Sequence, residues 1–201
     1  MVLAESWFIK RVEELIAHLK ETSLDEEKDE AILRHIEWME SNESATVPDF
    51  EANLEWLNCT SPLSFQEKLR GKVCVLDFFT YCCINCMHIL PDLEALEQLY
   101  SEKDGLVIVG VHSAKFENEK SSTNILSAVL RYDIRHPVVN DSEAKLWHTL
   151  SVQCWPTLVV VSPEGKILLS LIGEGHRDTL LQFVGSALNF YKQKGRRESF
   201  I

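Results

Sequence analysis

Cys83-Ile84-Asn85-Cys86 sets two thiols one helical turn apart, directly after the apolar run Val73-Cys74-Val75-Leu76-Asp77-Phe78-Phe79. That spacing suits a dithiol–disulfide couple. At a strand-to-helix junction the first sulfur sits at the helix N-terminus, where unpaired N–H groups and the dipole favour thiolate over thiol. The second lies one turn inside, close enough to displace a mixed disulfide formed by the first. Cys83 is therefore the expected nucleophile and Cys86 the expected resolving thiol. Asp77 interrupts a strand otherwise made of Val, Leu, Cys and Phe, so it is expected to be buried. Burial raises a carboxyl pKa, which would let Asp77 carry protons for Cys86. Two cysteines at this spacing also serve as half of a zinc site, and the flanking pattern has to decide.

Other residues near the pair widen the choice. Cys82 is either a small packing residue or a third thiol able to compete for Cys83 or Cys86. A disulfide between adjacent cysteines is strained, which disfavours a Cys82–Cys83 bond. Cys82 and Cys86 are spaced as CxxxC with His88 nearby, and soft thiolates suit copper(I) or zinc. Thr80, three residues before Cys83, invites a peroxidase reading. Peroxiredoxins, however, pair that threonine with a proline four residues earlier, and the position here is Leu76. His112 follows a strand-like run at the carboxyl edge, where open α/β sheets bind ligands. A proline stands in the loop before Leu158, where copper chaperones of this spacing place a ligand histidine, and the ligand count is undemonstrated, so neither a metal nor a cofactor is assigned.

A second element stands further on. Trp155-Pro156-Thr157 precedes the strand-like run Leu158-Val159-Val160-Val161. Proline has no ladder N–H to give and is found at strand starts and sharp turns. Trp155 is placed to shape a groove for an extended partner chain, which its backbone could bind by strand addition.

The elements that must hold these residues alternate in α/β fashion. The run Val73–Phe79 and the run Leu106-Val107-Ile108-Val109-Gly110-Val111 are continuously apolar, the pattern of parallel strands covered on both faces. Helical patterns span Cys83–Tyr100, Ser122–Tyr132, Glu143–Leu150 and Arg177–Lys192, with a short strand at Pro137-Val138-Val139. Leu158–Val161 and Ile167–Ile172, joined through Ser162-Pro163-Glu164-Gly165, read as an antiparallel hairpin. Before this unit, Trp7, Val12, Leu15, Ile16 and Leu19 recur at helical spacing, as do Ile32, Leu33, Ile36 and Met39. They predict an N-terminal helical extension over residues 1–42, docked on the domain or on a partner. Ser41 to Val47 reads as a linker, 43–193 as the domain and 194–201 as a tail.

The chain has 201 residues, 45% of them hydrophobic, and a formal charge of −11. That suffices for one packed domain, while no apolar stretch reaches the length of a membrane span. The negative charge disfavours nonspecific attraction to nucleic acid or anionic membranes. Glu5, Lys10, Arg11, Glu13 and Glu14 break the layout of a signal peptide. The expected setting is reducing and cytoplasmic, where six cysteines act as thiols and not as a disulfide framework.

Taken in order, these landmarks resemble the thioredoxin superfamily. Cys83 and Cys86 match its redox pair, Asp77 its buried acid, Pro91 its helix proline, and Pro156 the cis-proline that faces the disulfide. Gly165 and Gly173 fall where its final hairpin turns and bulges. Ile84-Asn85 replaces the common Gly-Pro. That departure, with Gly110-Val111-His112-Ser113 and Gly173-Glu174-Gly175-His176, is similar to a narrower CINC-type, TlpA-like group. The resemblance implies a thioredoxin-like α/β fold with a central mixed sheet flanked by helices. It implies thiol–disulfide exchange on protein substrates through Cys83, Cys86 and Asp77, with Trp155, Pro156 and Thr157 at the substrate groove. It also implies a C-terminal β-propeller in longer chains of the group. A scaffold that binds proteins without turnover is the rival reading.

Overall fold

The computed structural model of the chain describes residues 2–42 and 46–198. Residues 43–45 of the expected linker and 199–201 of the expected tail lie outside the described residues. Six strands form one mixed sheet: β1 (Glu55–Leu57), β2 (Val73–Phe79), β3 (Leu106–His112), β4 (Val138–Asn140), β5 (Thr157–Val161) and β6 (Ile167–Ile172). Their spatial order is β1-β4-β3-β2-β5-β6. The central β4, β3 and β2 are parallel, and β1, β5 and β6 are added antiparallel at the two sides.

Six α-helices flank the sheet among the described residues: α1 (Ser6–Glu21), α2 (Asp25–Ser41), α3 (Ile84–Leu99), α4 (Ser122–Arg131), α5 (Lys145–Leu150) and α6 (Arg177–Glu198). Every residue of β2 is buried. A strand covered on both faces has no solvent side, which is why its sequence shows no alternation. α3 begins where β2 and its short following turn end, and it continues through Pro91. Gly165 closes the β5–β6 turn with φ of 83°, a left-handed conformation natural to glycine.

One boundary differs from the sequence reading. α6 continues past Lys192 to Glu198, into the segment expected to be a tail. Gln193 and Lys194 are good helix formers, and Lys194 reaches Glu40 at 4.0 Å and Glu164 at 3.9 Å. The helix is extended by contact with the N-terminal helices and the hairpin.

The N-terminal helices belong to the main core. Phe8, Ile32, Ile36 and Met39 are fully buried within it, each contributing about 1.5–3 kcal/mol. A β-bulge in β6 locks this docking. Val160 pairs with Leu169 and Val161 with Ile167, so Leu168 drops out of register. The buried His35 of α2 donates its Nε2–H to the Leu168 carbonyl at 2.7 Å. Burial pushes the His35 pKa down to about 4, against the upward pull of that bond, so the ring is neutral at pH 7. We predict that His35→Ala, which strands the Leu168 carbonyl, costs about 1–3 kcal/mol in urea melts. A loss below about 0.5 kcal/mol would show that the contact does not hold α2 to the sheet.

Candidate active site

Cys83 is the N-cap of α3, with φ −101° and ψ 112°, and accepts the backbone N–H of Cys86 (3.1 Å) and Met87 (3.3 Å) on its carbonyl. Its thiol, partly buried, points to the Trp155 carbonyl at 3.8 Å. Cys86 is fully buried one turn on, packed with Phe79 and Val138. Burial, the charge of Asp77 and contact with Cys83 push the Cys86 thiol far above its ordinary range. The two sulfurs are therefore unequal: one is reachable from solvent, and the other needs a base before it can act.

Asp77 is the acid that interacts with Cys86. It is buried, and its Oδ1 has no hydrogen-bond partner. Burial pushes its pKa from 3.8 up to about 7, and His136 pulls in the opposite direction. A carboxyl poised near neutrality can exchange protons with a thiol at physiological pH. His136 reaches this position from the loop before β4.

Cys82 is held apart from the pair. It is exposed, and its thiol is hydrogen-bonded to Glu119, whose negative charge raises the Cys82 pKa to about 11. Glu119 is itself buried. Burial works to protonate it, but bonds from Cys82, the Thr80 hydroxyl and the Lys115 N–H outweigh that and hold it below the usual carboxyl range. Thr80 thus spends its hydroxyl on Glu119, away from Cys83. His112 does not line an open cleft. It is fully buried between Phe79 (centroids 5.2 Å apart) and Tyr81 (5.3 Å, stacked), and burial lowers its pKa to about 4. Its Nε2 accepts the Tyr81 N–H at 3.5 Å, so the neutral ring supports the turn that precedes the dithiol.

The wall opposite Cys83 is built from the C-terminal edge of the sheet. The Trp155–Pro156 peptide bond is cis, as the resemblance implied. Trp155 stacks on Trp147 (centroids 4.3 Å apart) and donates its Nε1–H to the Ser113 carbonyl at 3.0 Å. Trp147 in turn is placed by Asp141, which accepts the N–H groups of Leu146 (3.2 Å) and Trp147 (3.0 Å) at the start of α5. Thr157 is buried, and its hydroxyl donates to the Cys154 carbonyl at 2.9 Å; its side chain serves the turn and does not face the dithiol. His88 is exposed and paired with Glu174 at 2.8 Å, not with the thiols. Among the described residues no cluster of three His, Cys, Asp or Glu side chains is arranged to hold a metal ion.

Residues 71–167 match the thioredoxin-like family model, and the fold and this match define a thioredoxin-like domain. The chain is 55% identical to NHL repeat-containing protein 2 of Gallus gallus over 89% of its own length and 25% of that protein's. It spans about a quarter of the length of that relative. It is 29% identical to the thiol-disulfide oxidoreductase ResA of Bacillus cereus, covering 56% of this chain and 61% of that one. A crystal structure of a thioredoxin-like superfamily protein superposes with a TM-score of 0.65 at 21% identity, over 72% of this chain and 97% of that chain. The domain is thus related to thiol–disulfide oxidoreductases.

Glu119 and His136 were not visible as site residues in the sequence. Glu119 stands in the run Phe116-Glu117-Asn118-Glu119-Lys120, which reads as an exposed charged face, and only the tertiary fold turns it inward. We predict that Glu119→Gln releases Cys82. Alkylation of Cys82 by iodoacetamide at pH 8.5, followed by peptide mass spectrometry, should accelerate about tenfold as the thiolate fraction rises. An unchanged rate would mean that the Cys82–Glu119 contact does not govern this thiol.

Proposed function

We propose that the domain performs thiol–disulfide exchange on protein substrates through Cys83 and Cys86. The observation that carries this reading is the unequal pair: a reachable sulfur at the start of α3, and a buried one backed by a buried acid. The Cys83 thiolate attacks a substrate disulfide, forming one S–S bond and expelling a substrate thiolate, which takes a proton from water. Cys86 then gives its proton to the Asp77 carboxylate and attacks Cys83 Sγ. The mixed disulfide breaks and the second substrate sulfur leaves with the electron pair. The substrate gains two thiols, the domain is oxidised to a Cys83–Cys86 disulfide, and a dithiol reductant is needed to reset it.

A substrate chain would lie against the Trp155 backbone beside Pro156. Ile84, which is 65% exposed, follows Cys83 at the start of α3, and Ile172, which is 59% exposed, is the register partner of Thr157; both present apolar surface to a protein. The same two side chains support the rival reading of a binding module without turnover. The setting we propose is a reducing, cytoplasmic one, supported by six free cysteines. No helix among the described residues is long and apolar enough to cross a membrane. We further propose that in longer chains the domain stands beside a β-propeller, as the NHL repeats named in its relative suggest.

We predict that Cys83→Ser lowers reduction of insulin disulfides by at least about a hundredfold. Cys86→Ser should instead accumulate a mixed disulfide through Cys83, visible on non-reducing gels and by mass spectrometry. Activity that survives Cys83→Ser would overturn the assignment of the nucleophile. Full folding without any exchange in the wild-type chain would favour the binding module.

A further inference from the structure

Behind the dithiol, two buried polar atoms are left without partners. Asp77 Oδ1 and His136 Nε2 both lack a hydrogen-bond partner, and the two side chains interact electrostatically. Gly110 lies against both residues. It is the register partner of Asp77 across β2 and β3, on the same face of the sheet. A Cβ at Gly110 would stand 3.0 Å from Phe79 Cε1, 3.1 Å from Val138 Cγ2 and 3.5 Å from His136 Cδ2. A side chain at Gly110 would therefore press on Phe79, Val138 and the His136 ring.

The far side of His136 is fixed. Its Nδ1–H donates to Glu97 Oε1 at 3.1 Å, since a carboxylate can only accept. That bond sets the tautomer and leaves Nε2 with its lone pair, beside the Cδ2 edge of the ring that lies against Gly110, the register partner of Asp77. His136 is buried (4% side-chain exposure), whereas Glu97 is 24% exposed and lines an open cavity of about 660 Å³ with Asn58, Lys68 and Tyr100. The groups facing Asp77 are thus Cys86 from α3 and His136 from the loop before β4. Those facing His136 are Asp77, Glu97 and the adjacent Arg135, which itself pairs with Asp133 at 3.0 Å and Glu94 at 3.9 Å. The loop backbone does not depend on the ring. Asn58 Nδ2 donates to the carbonyls of Ile134 (2.8 Å) and His136 (3.0 Å), and the Pro137 carbonyl accepts the Gly110 N–H at 2.9 Å.

We propose that His136, oriented by Glu97, is a positioning residue that returns Asp77 to its carboxylate form by conducting the Cys86 proton to the cavity. The inference rests on the exchange reading given above. During resolution Cys86 passes its proton to Asp77, and the sulfur's electron pair forms the bond to Cys83. The Asp77 proton then moves to His136 Nε2 while the Nδ1 proton moves to Glu97, from which water removes it. One proton travels from Cys86 to solvent, which leaves Asp77 and Glu97 as carboxylates and His136 as the Nε2–H tautomer; when a dithiol reduces the Cys83–Cys86 disulfide, the same transfers run in reverse, return a proton to Cys86 and restore the Nδ1–H tautomer. The missing side chain at Gly110 lets the His136 ring approach the strand position beside Asp77, and the relay runs away from the substrate face, so a docked substrate does not block it.

Two measurements on the reduced full chain test the proposal. Nitrogen-15 NMR should show His136 as the Nδ1–H tautomer, and Asp77→Asn should move its Nε2 resonance. In rapid-quench kinetics at pH 7, His136→Gln should slow release from the mixed disulfide about tenfold. The initial attack by Cys83 should stay within about twofold of wild type. In an Asp77→Asn background His136→Gln should add nothing, as expected for residues acting in one path. Equal slowing of both steps, an additive loss in that background, or an Nε2 resonance indifferent to Asp77→Asn would overturn the relay. Absence of any mixed disulfide in the wild-type chain would instead sink the exchange reading, and the NMR result would still decide whether Asp77 and His136 are coupled.

Discussion

A single carboxyl in a fully covered strand is the constraint on which the site depends. β2 is buried along its entire length, so Asp77 cannot reach water, and an ionised carboxylate there is costly. Desolvation lifts its titration to near neutrality, the one range in which it can serve a thiol whose own deprotonation is held back by burial. The same packing that stabilises the sheet therefore sets the range in which Asp77 titrates. A more polar strand would return the acid to its ordinary range, and it would then be a poor proton acceptor at pH 7.

The remaining architecture sorts three thiols into three roles. Cys83 caps α3 where it can meet a partner, Cys86 waits beneath it, and Cys82 is turned to Glu119 and kept protonated. Sorting is needed because the three are adjacent or nearly so, and an uncontrolled third thiol could intercept either disulfide. The turn that separates them is held by buried His112 under Tyr81 and by Thr80 on Glu119. The facing wall is held by a longer chain of contacts, from Asp141 through α5 and Trp147 to Trp155. Both sets of supports are tertiary, and both converge on the C-terminal edge of the parallel strands.

Much of the fold was legible because its signals are local. The unalternating runs of β2 and β3, the cysteine pair at a strand-to-helix junction, and Pro156 ahead of β5 each state a physical requirement in a few residues. The positions of Cys83, Cys86 and Asp77 followed from them. What the sequence hid are partners brought from afar. His136 lies in a loop with no motif, Glu119 sits in a charged run, and His112 at a strand end looked open but is stacked and buried. The bulge at Leu168 was equally silent, since one extra residue in an apolar strand leaves the composition unchanged. His35, which answers that bulge, reads in the sequence as an ordinary polar position on a helix.

The central claim, that burial holds Asp77 protonated to near neutral pH, is tested most directly by unfolding free energy against pH for the wild-type chain and Asp77→Asn. Between pH 4 and pH 7 the folded protein keeps a proton that the unfolded chain has released, so wild-type stability falls as pH rises through that window. The neutral amide has no such term, while His35 and His112 titrate in both proteins and cancel in the difference. The advantage of Asp77→Asn should therefore grow through the window and level off above pH 7, at a gain on the order of 2–4 kcal/mol relative to pH 4. A difference that stays flat from pH 4 to pH 8 would show that the Asp77 carboxyl titrates in its ordinary range, and the account of the site would fail with it.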